Sequence, residues 1–343
     1  MFRREVLPPL EIQRKPPRDR GSMKKGDCDT MKKFLALILT LAMALSVTAC
    51  GGSDDTADDT ADGEGSGTEE TADYASMTDD ELKAAITTVE GGKLTVATSP
   101  DFAPYEFYAI GEDGQATLAG FEMSLAQYIA DYLGLTLEVV PMDFDGTLME
   151  LQNKSVDLGM AGYSPKPERE NIMDFSEIFY TGGQSFVTTQ ANADKFTSLE
   201  DTNKAEYSIG AQTGSIQVDL AMANSPDADI IQLPKVTDVI TDLLAGNLDG
   251  AYIETVVAET YAKNYPDLNV LLDVPYEQEG SVVGVSKGNA ALLEGVNRAI
   301  AAVLEDGTMD QFVTEANELA SGTTYEGLLD ENGQAVEAPA AEG

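Results

Sequence analysis

Residues 207–253 read YSIGAQTGSIQVDLAMANSPDADIIQLPKVTDVITDLLAGNLDGAYI. Tyr207–Ala211 and Asp229–Leu233 are short apolar runs bounded by polar residues, which predicts two strands. Ser215–Ala223 between them predicts a helix entered at a serine. Val236, Val239, Ile240, Leu243 and Leu244 fall on one face of a second helix, which stops at Gly246. Asp249–Ile253 predicts a third strand. Strand–helix–strand units repeated in this way call for a parallel sheet with helices over its faces.

The same alternation runs outward in both directions. Upstream, Lys93–Thr98 predicts a strand, and Phe121, Leu125, Tyr128, Ile129 and Tyr132 mark one face of a helix ended by Gly134. A strand from Leu137, a short helix over Thr147–Lys154 and strands at Val156–Met160 and Thr181–Thr189 follow. Downstream come a helix over Thr255–Lys263, a strand over Ser281–Val285 and a helix carrying Leu292, Leu293, Val296, Ile300 and Val303. Two runs of such units, with a late strand and helix after the second, predict an α/β chain of two lobes. Each lobe is expected to hold a mainly parallel sheet flanked by helices. Residues 93–184 and 280–320 would form lobe 1, residues 185–279 would form lobe 2, and two hinge segments would cross between them.

The ends read differently. Met31–Cys50 has a basic start, an apolar run and a small-residue exit, the pattern of a secretory signal peptide rather than a spanning helix. Its exit, Leu45-Ser-Val-Thr-Ala-Cys50, resembles a bacterial lipobox, which implies that Cys50 is acylated and becomes the new N-terminus. Residues 1–30 read as a disordered leader or a start placed upstream of the true one. Gly51–Asp73 has nine acidic residues, no basic ones and no large apolar side chain. It predicts an extended, self-repelling tether with a reach of roughly 80 Å over residues 50–75. Thr78-Asp-Asp-Glu81 has capping-box spacing and predicts a short helix within 76–92, stopped by Gly91-Gly92. Residues 321–343 form a polar tail.

Composition closes off several functions. From Cys50 onward the chain carries 11 Lys and Arg against 55 Asp and Glu. Nucleic acids and anionic lipid surfaces demand positive patches, so neither is an expected partner. There is no histidine, and the only cysteines are Cys28 and Cys50. Catalysis by a Ser-His-Asp triad, by a thiol or by a histidine-bound metal is therefore excluded. No cofactor and no metal are expected.

One of two arginines in that part of the chain, Arg169, lies in AGYSPKPERENIMDF, residues 161–175. A guanidinium is a fixed two-pronged donor that matches a carboxylate, so an arginine in a turn-rich run of so acidic a protein is read either as the holder of a small anion or as one half of a surface ion pair. The surrounding motifs extend the first reading. They are Ala97–Phe107 (ATSPDFAPYEF), Gly120–Leu125 (GFEMSL), Met142–Gly146 (MDFDG), the 161–169 run with Asp174–Ser176, Gly210–Ser215 (GAQTGS), Leu244–Gly250 (LAGNLDG) and Gly284–Asn289 (GVSKGN). Together, from about Lys93 to Ala320, the chain resembles the extracytoplasmic solute-binding proteins of family 3, the polar amino-acid receptors of ABC importers.

That resemblance implies a two-lobed periplasmic-binding-protein fold of type II. It implies that Arg169 and Ser164 hold a ligand α-carboxylate, that Gly162 and Ser164 help hold the α-ammonium, and that Phe102 covers the ligand side chain. It places Gly214 and Ser215 at a helix start whose free N–H groups take the carboxylate, and Glu254 at the ammonium. Ser99 stands where many relatives carry an aspartate that reads a cationic side chain, which weakens a basic-amino-acid reading. The implied protein is a monomeric, lipid-anchored receptor outside the cytoplasm, on the outer face of the cell membrane or in a periplasm, serving an ABC permease. It is not an enzyme. The alternatives are a secreted lyase like cyclohexadienyl dehydratase, with Glu106 or Glu254 as acid, and a sensor for a signalling partner.

Overall fold

The computed structural model describes residues 73–111, 115–277 and 280–321. The leader, the signal peptide, Cys50, the tether up to residue 72 and the tail from residue 322 lie outside them. The alternation becomes two five-stranded sheets. The first has the order Thr136–Pro141, Lys93–Thr98, Leu158–Gly159, Gly284–Ser286, Met173–Phe175. The second has the order Asp229–Leu233, Ser208–Gln212, Gly250–Glu254, Gln184–Thr189, Leu268–Asp273. A small antiparallel sheet, Asp101–Phe102, Glu106–Ile110 and Ala116–Ala119, rides on the first lobe.

The sheets are mixed rather than mainly parallel. In each, two pairings are parallel and two antiparallel. The antiparallel pairings come from the crossings between lobes. Gln184–Thr189 enters lobe 2 directly from the first crossing, and Gly284–Ser286 re-enters lobe 1 from the second. Neither follows a covering helix, so neither is bound to the parallel direction that a strand–helix–strand unit imposes. The crossings are joined by a β-bridge between Tyr180 and Ser281 and by the Tyr276 hydroxyl, which donates to the Gly182 carbonyl at 3.4 Å.

Helix Phe121–Leu133 shows how the pattern is used. Phe121, Leu125 and Ile129 are fully buried, each contributing about 1.5–3 kcal/mol of burial. Tyr128 and Tyr132 are half-buried at its edge, Tyr128 against Phe312 and Tyr132 under Lys83. Gly134 closes the helix in the left-handed conformation at φ 73°, where a glycine costs least. The helix packs on Ala290–Glu305, where a Cβ on Gly295 would lie 2.8 Å from Leu133.

Two expected helices shift. The capping box forms, with Thr78 and Glu81 bonding reciprocally, but the helix is Asp79–Ala85 and ends well before Gly91. The run Ile86-Thr87-Thr88-Val89 is β-branched, and the Val89 N–H is drawn off to Asp157 at 2.7 Å. The helix expected from Thr147 starts earlier, at Phe144, with Asp143 as its N-cap residue. The strand expected at Val156–Met160 shortens to Leu158–Gly159. Strand Leu268–Asp273 and helix Thr308–Ala320 were not anticipated. No helix among the described residues is long and apolar enough to cross a membrane.

Candidate ligand-binding site

Four parallel-paired strands end at the boundary between the lobes. Lys93–Thr98 runs into Ser99–Phe102, and Leu158–Gly159 into Ala161–Ser164; both belong to lobe 1. Ser208–Gln212 runs into Gly214–Ser215, and Gly250–Glu254 ends at Glu254; both belong to lobe 2. Open α/β sheets bind ligands beyond the carboxyl ends of their strands, and here the ends of the two lobes face each other.

A crevice of about 240 Å³ lies between them, lined by Phe102, Phe144, Gly162, Ser164, Arg169, Gln212, Ser215 and Gln217 among others. It is nearly shut, with clear room for about one water-sized sphere. Among the described residues that line it, none is acidic.

Arg169 is its one cation and is 5 % exposed. One terminal nitrogen donates to the Ser164 carbonyl at 3.2 Å and the other to the Gly214 carbonyl at 3.1 Å. The Phe144 and Tyr163 rings lie beneath its guanidinium at 5.6 and 5.7 Å. Burial pulls its pKa down. Among the described residues no carboxylate forms an ion pair with it. A buried guanidinium on carbonyls and rings alone keeps donors for an anion.

The lobe-2 wall complements it. Ser215 is the N-cap residue of helix Ile216–Asn224, yet its side chain does not cap that helix and donates to the Gln212 carbonyl at 2.7 Å. The first N–H groups of the helix therefore remain for an anion. Gly214 sits at φ 78° and presents the carbonyl that meets Arg169. Gly162 sits at φ 61°, its N–H donating to Glu122 at 3.1 Å. A Cβ on Gly162 would stand 2.6 Å from the Phe102 ring, so that ring lies directly over the loop.

Three residues named from the sequence sit outside the crevice lining: Gly214, whose carbonyl nonetheless meets Arg169, Glu254 and Ser99. Glu254 is 4 % exposed at the hinge. It caps helix Thr255–Asn264 by accepting from the Val257 N–H at 2.9 Å, and it faces the Tyr105 hydroxyl at 3.3 Å. Burial pushes its carboxyl up to about 8. Ser99 donates to Asp101 at 2.6 Å.

Sequence reasoning passed over Gln212, Phe144 and Asp101. Gln212 lines the crevice, with its amide nitrogen on Asp101 at 3.0 Å and on the Pro234 carbonyl at 3.2 Å. Phe144 was hidden because its helix was expected to start later. Asp101 is one acid among many and carries no pattern that sets it apart. Lobe 1 also holds a fully buried pair of carboxyls, Glu106 and Glu122, which bond to each other; burial raises Glu122 to about 7.

The chain matches the model of the bacterial extracellular solute-binding proteins, family 3, over residues 94–315. It is 29 % identical over 285 residues to the arginine-binding extracellular protein ArtP of Bacillus subtilis, covering 82 % of this chain and 96 % of ArtP. The crystal structure of the amino-acid ABC transporter substrate-binding protein AbpA of Streptococcus pneumoniae bound to L-arginine superposes with a TM-score of 0.65 at 31 % identity, covering 71 % of this chain and all of AbpA. Cyclohexadienyl dehydratase of Pseudomonas aeruginosa matches less of the chain, 27 % identical over 180 residues, 52 % of this chain and 66 % of the enzyme.

Proposed function

The chain belongs to the bacterial extracellular solute-binding proteins, family 3, and from that premise we propose that it is the extracytoplasmic receptor of an ABC importer, closing its two lobes on a polar amino acid. The observation that carries this is Arg169, a buried guanidinium without a carboxylate partner among the described residues, opposite a helix start not capped by its own serine. A zwitterion moved into such a site needs both charges answered, or burial costs several kcal/mol. Arg169 and helix Ile216–Asn224 answer the carboxylate. Glu254, drawn toward the ligand and ionised on binding, answers the ammonium. Phe102 covers the side chain, and Gln212 and Gln217 offer amides to a polar one.

Ligand enters when the lobes part, since the crevice as it stands is nearly shut. Closure is favoured by contacts that form only with ligand between the lobes, and the permease reads the closed form. The chain acts as a monomer. Cys50 carries the lipid that holds it at the outer face of the membrane, and the acidic segment spaces the receptor from the surface. The relatives named for arginine make it the first amino acid to test, while a crevice without an acidic lining residue favours a neutral polar side chain.

A thermal-shift screen against the twenty amino acids and L-cystine tests the reading. Binding raises the melting temperature by mass action, about 2.7 kcal/mol of added stability at a hundred times Kd. A protein that none of them stabilises is not an amino-acid receptor.

A further inference from the structure

Asp101 spans the two lobes without lining the crevice. It is 3 % exposed and sits on the small sheet of lobe 1. One carboxylate oxygen takes the Ser99 hydroxyl of its own lobe at 2.6 Å. The other is spent entirely on lobe 2, accepting from the Val236 backbone N–H at 2.5 Å and from the Gln212 amide nitrogen at 3.0 Å. Its backbone carbonyl accepts from the Tyr261 hydroxyl of lobe 2 at 3.2 Å.

Val236 opens helix Val236–Leu244, whose own N-cap residue, Lys235, supplies no side-chain cap. The first N–H groups of a helix have no partner within it, and a carboxylate there is favoured by the helix dipole. In this chain the carboxylate comes from the opposite lobe. A cap supplied across the cleft exists only while the lobes are together. The ion pairs across the cleft among the described residues, Lys166 with Asp219 and Lys235 with Asp143 at 3.9 Å, are partly solvated, and exposed pairs of that kind contribute little.

Resting on the receptor reading above, we propose that Asp101 is a latch: a positioning residue that never touches ligand, caps the facing lobe's helix in the closed form and, through Gln212, fixes one wall of the crevice. Breaking it leaves both lobes folded and ligand contacts present but lets the closed form open sooner.

The test compares Asp101→Ala, which removes the acceptor, with Asp101→Asn, whose carbonyl oxygen can take both lobe-2 donors and whose amide can meet Ser99. The probe is L-arginine or, if another of the twenty amino acids or L-cystine stabilises the wild-type protein more, that one, followed by stopped flow and calorimetry. Asp101→Ala is expected to raise Kd at least tenfold, about 1.4 kcal/mol, through faster dissociation with the association rate within threefold. Asp101→Asn is expected to recover most of that loss, and the ligand-free melting temperature stays close to wild type.

A second readout needs no ligand. Spin labels replace Met149 and Met222, exposed residues on helices of opposite lobes, with Cys28 and Cys50 changed to Ser. Asp101→Ala is expected to shift the distance distribution outward, and Asp101→Asn to leave it near wild type. Unchanged dissociation together with an unchanged distribution overturns the latch while the receptor reading stands. If no amino acid binds even the wild-type protein, the receptor reading fails, and the distances alone decide whether Asp101 holds the lobes together.

Discussion

Replacing Arg169 with alanine separates a ligand-binding cation from an ordinary buried one. In the free protein the change removes two hydrogen bonds to the Ser164 and Gly214 carbonyls. It also relieves the guanidinium of its burial penalty, which is what lowers its pKa. These effects oppose each other, so the ligand-free melting temperature is expected to move by no more than about 4 °C, roughly 1 kcal/mol for a protein of this size. With ligand present nothing offsets the loss. Stranding a buried charge by removing its hydrogen-bonded partner costs about 2–5 kcal/mol. The start of helix Ile216–Asn224 still faces the carboxylate and retains about 0.3–2 kcal/mol of favourable interaction. The net loss is about 3 kcal/mol, which at 1.4 kcal/mol per decade is roughly a hundredfold in Kd. Calorimetry with the amino acid found by the screen measures it, beside thermal unfolding of both ligand-free proteins. A variant whose Kd lies within threefold of wild type returns Arg169 to a structural role, and with it goes the anchor of the proposed site.

Gly162→Ala puts a Cβ 2.6 Å from the Phe102 ring on backbone at φ 61°, and is expected to cost about 1–3 kcal/mol in urea unfolding, whereas Gly91→Ala, with nothing within 4 Å, changes little. Glu254→Gln tests the hinge carboxyl through pH. Its folded pKa lies near 8 against a usual 4.5, so between those values the folded state binds the extra proton, and stability of the ligand-free protein falls as pH rises from about 4.5 to 8. The glutamine variant lacks that share of the slope and binds amino acid more weakly, as unfolding across pH and calorimetry at pH 7 will show. Calorimetry of the wild-type protein in buffers of different ionisation heat should also detect a proton released on binding, absent in the variant. Thr78→Ala removes the capping box of helix Asp79–Ala85 and is expected to cost about 1 kcal/mol, with no effect on ligand affinity.

The elements legible in the sequence were those whose ends are set locally. Gly134 and Gly246 stop or follow their helices at φ 73° and 77°, and Thr78 with Glu81 starts its helix as the spacing requires. Legibility ended where a distant partner decided. Asp157, far away in sequence, takes the Val89 N–H and the Thr95 N–H and hydroxyl, so the chain leaves its helix at Ile86 and bends through residues 89–92 instead of continuing it. Strand direction was misjudged for the same reason. Nothing local in Gln184–Thr189 records that it has just crossed from another lobe. The carboxylates were hardest of all. In so acidic a chain, Asp101, Glu106, Glu122, Asp157 and Glu254 stand apart in being buried, which composition and spacing do not reveal; Glu254 was reached only through the family resemblance.

Why the motifs nevertheless converge follows from the topology. Ser99–Phe102, Ala161–Ser164, Gly214–Ser215 and Glu254 each lie at or just past the carboxyl end of a parallel-paired strand, two from each lobe. A parallel sheet sets those ends in one row, and the turn leaving each must bend sharply toward a helix or loop. Such a turn favours glycine, as at Gly162 and Gly214, and a helix starting there offers unpaired N–H groups. Two sheets with their rows facing each other make a cleft in which each half holds only part of what a zwitterion needs. Arg169 lies on lobe 1, while the start of helix Ile216–Asn224 and Glu254 lie on lobe 2. In the receptor proposed above, neither half answers both charges well alone, so affinity and closure become one equilibrium. A bond such as that of Asp101 to Val236, remote from ligand, can then act on affinity with no change in any ligand contact.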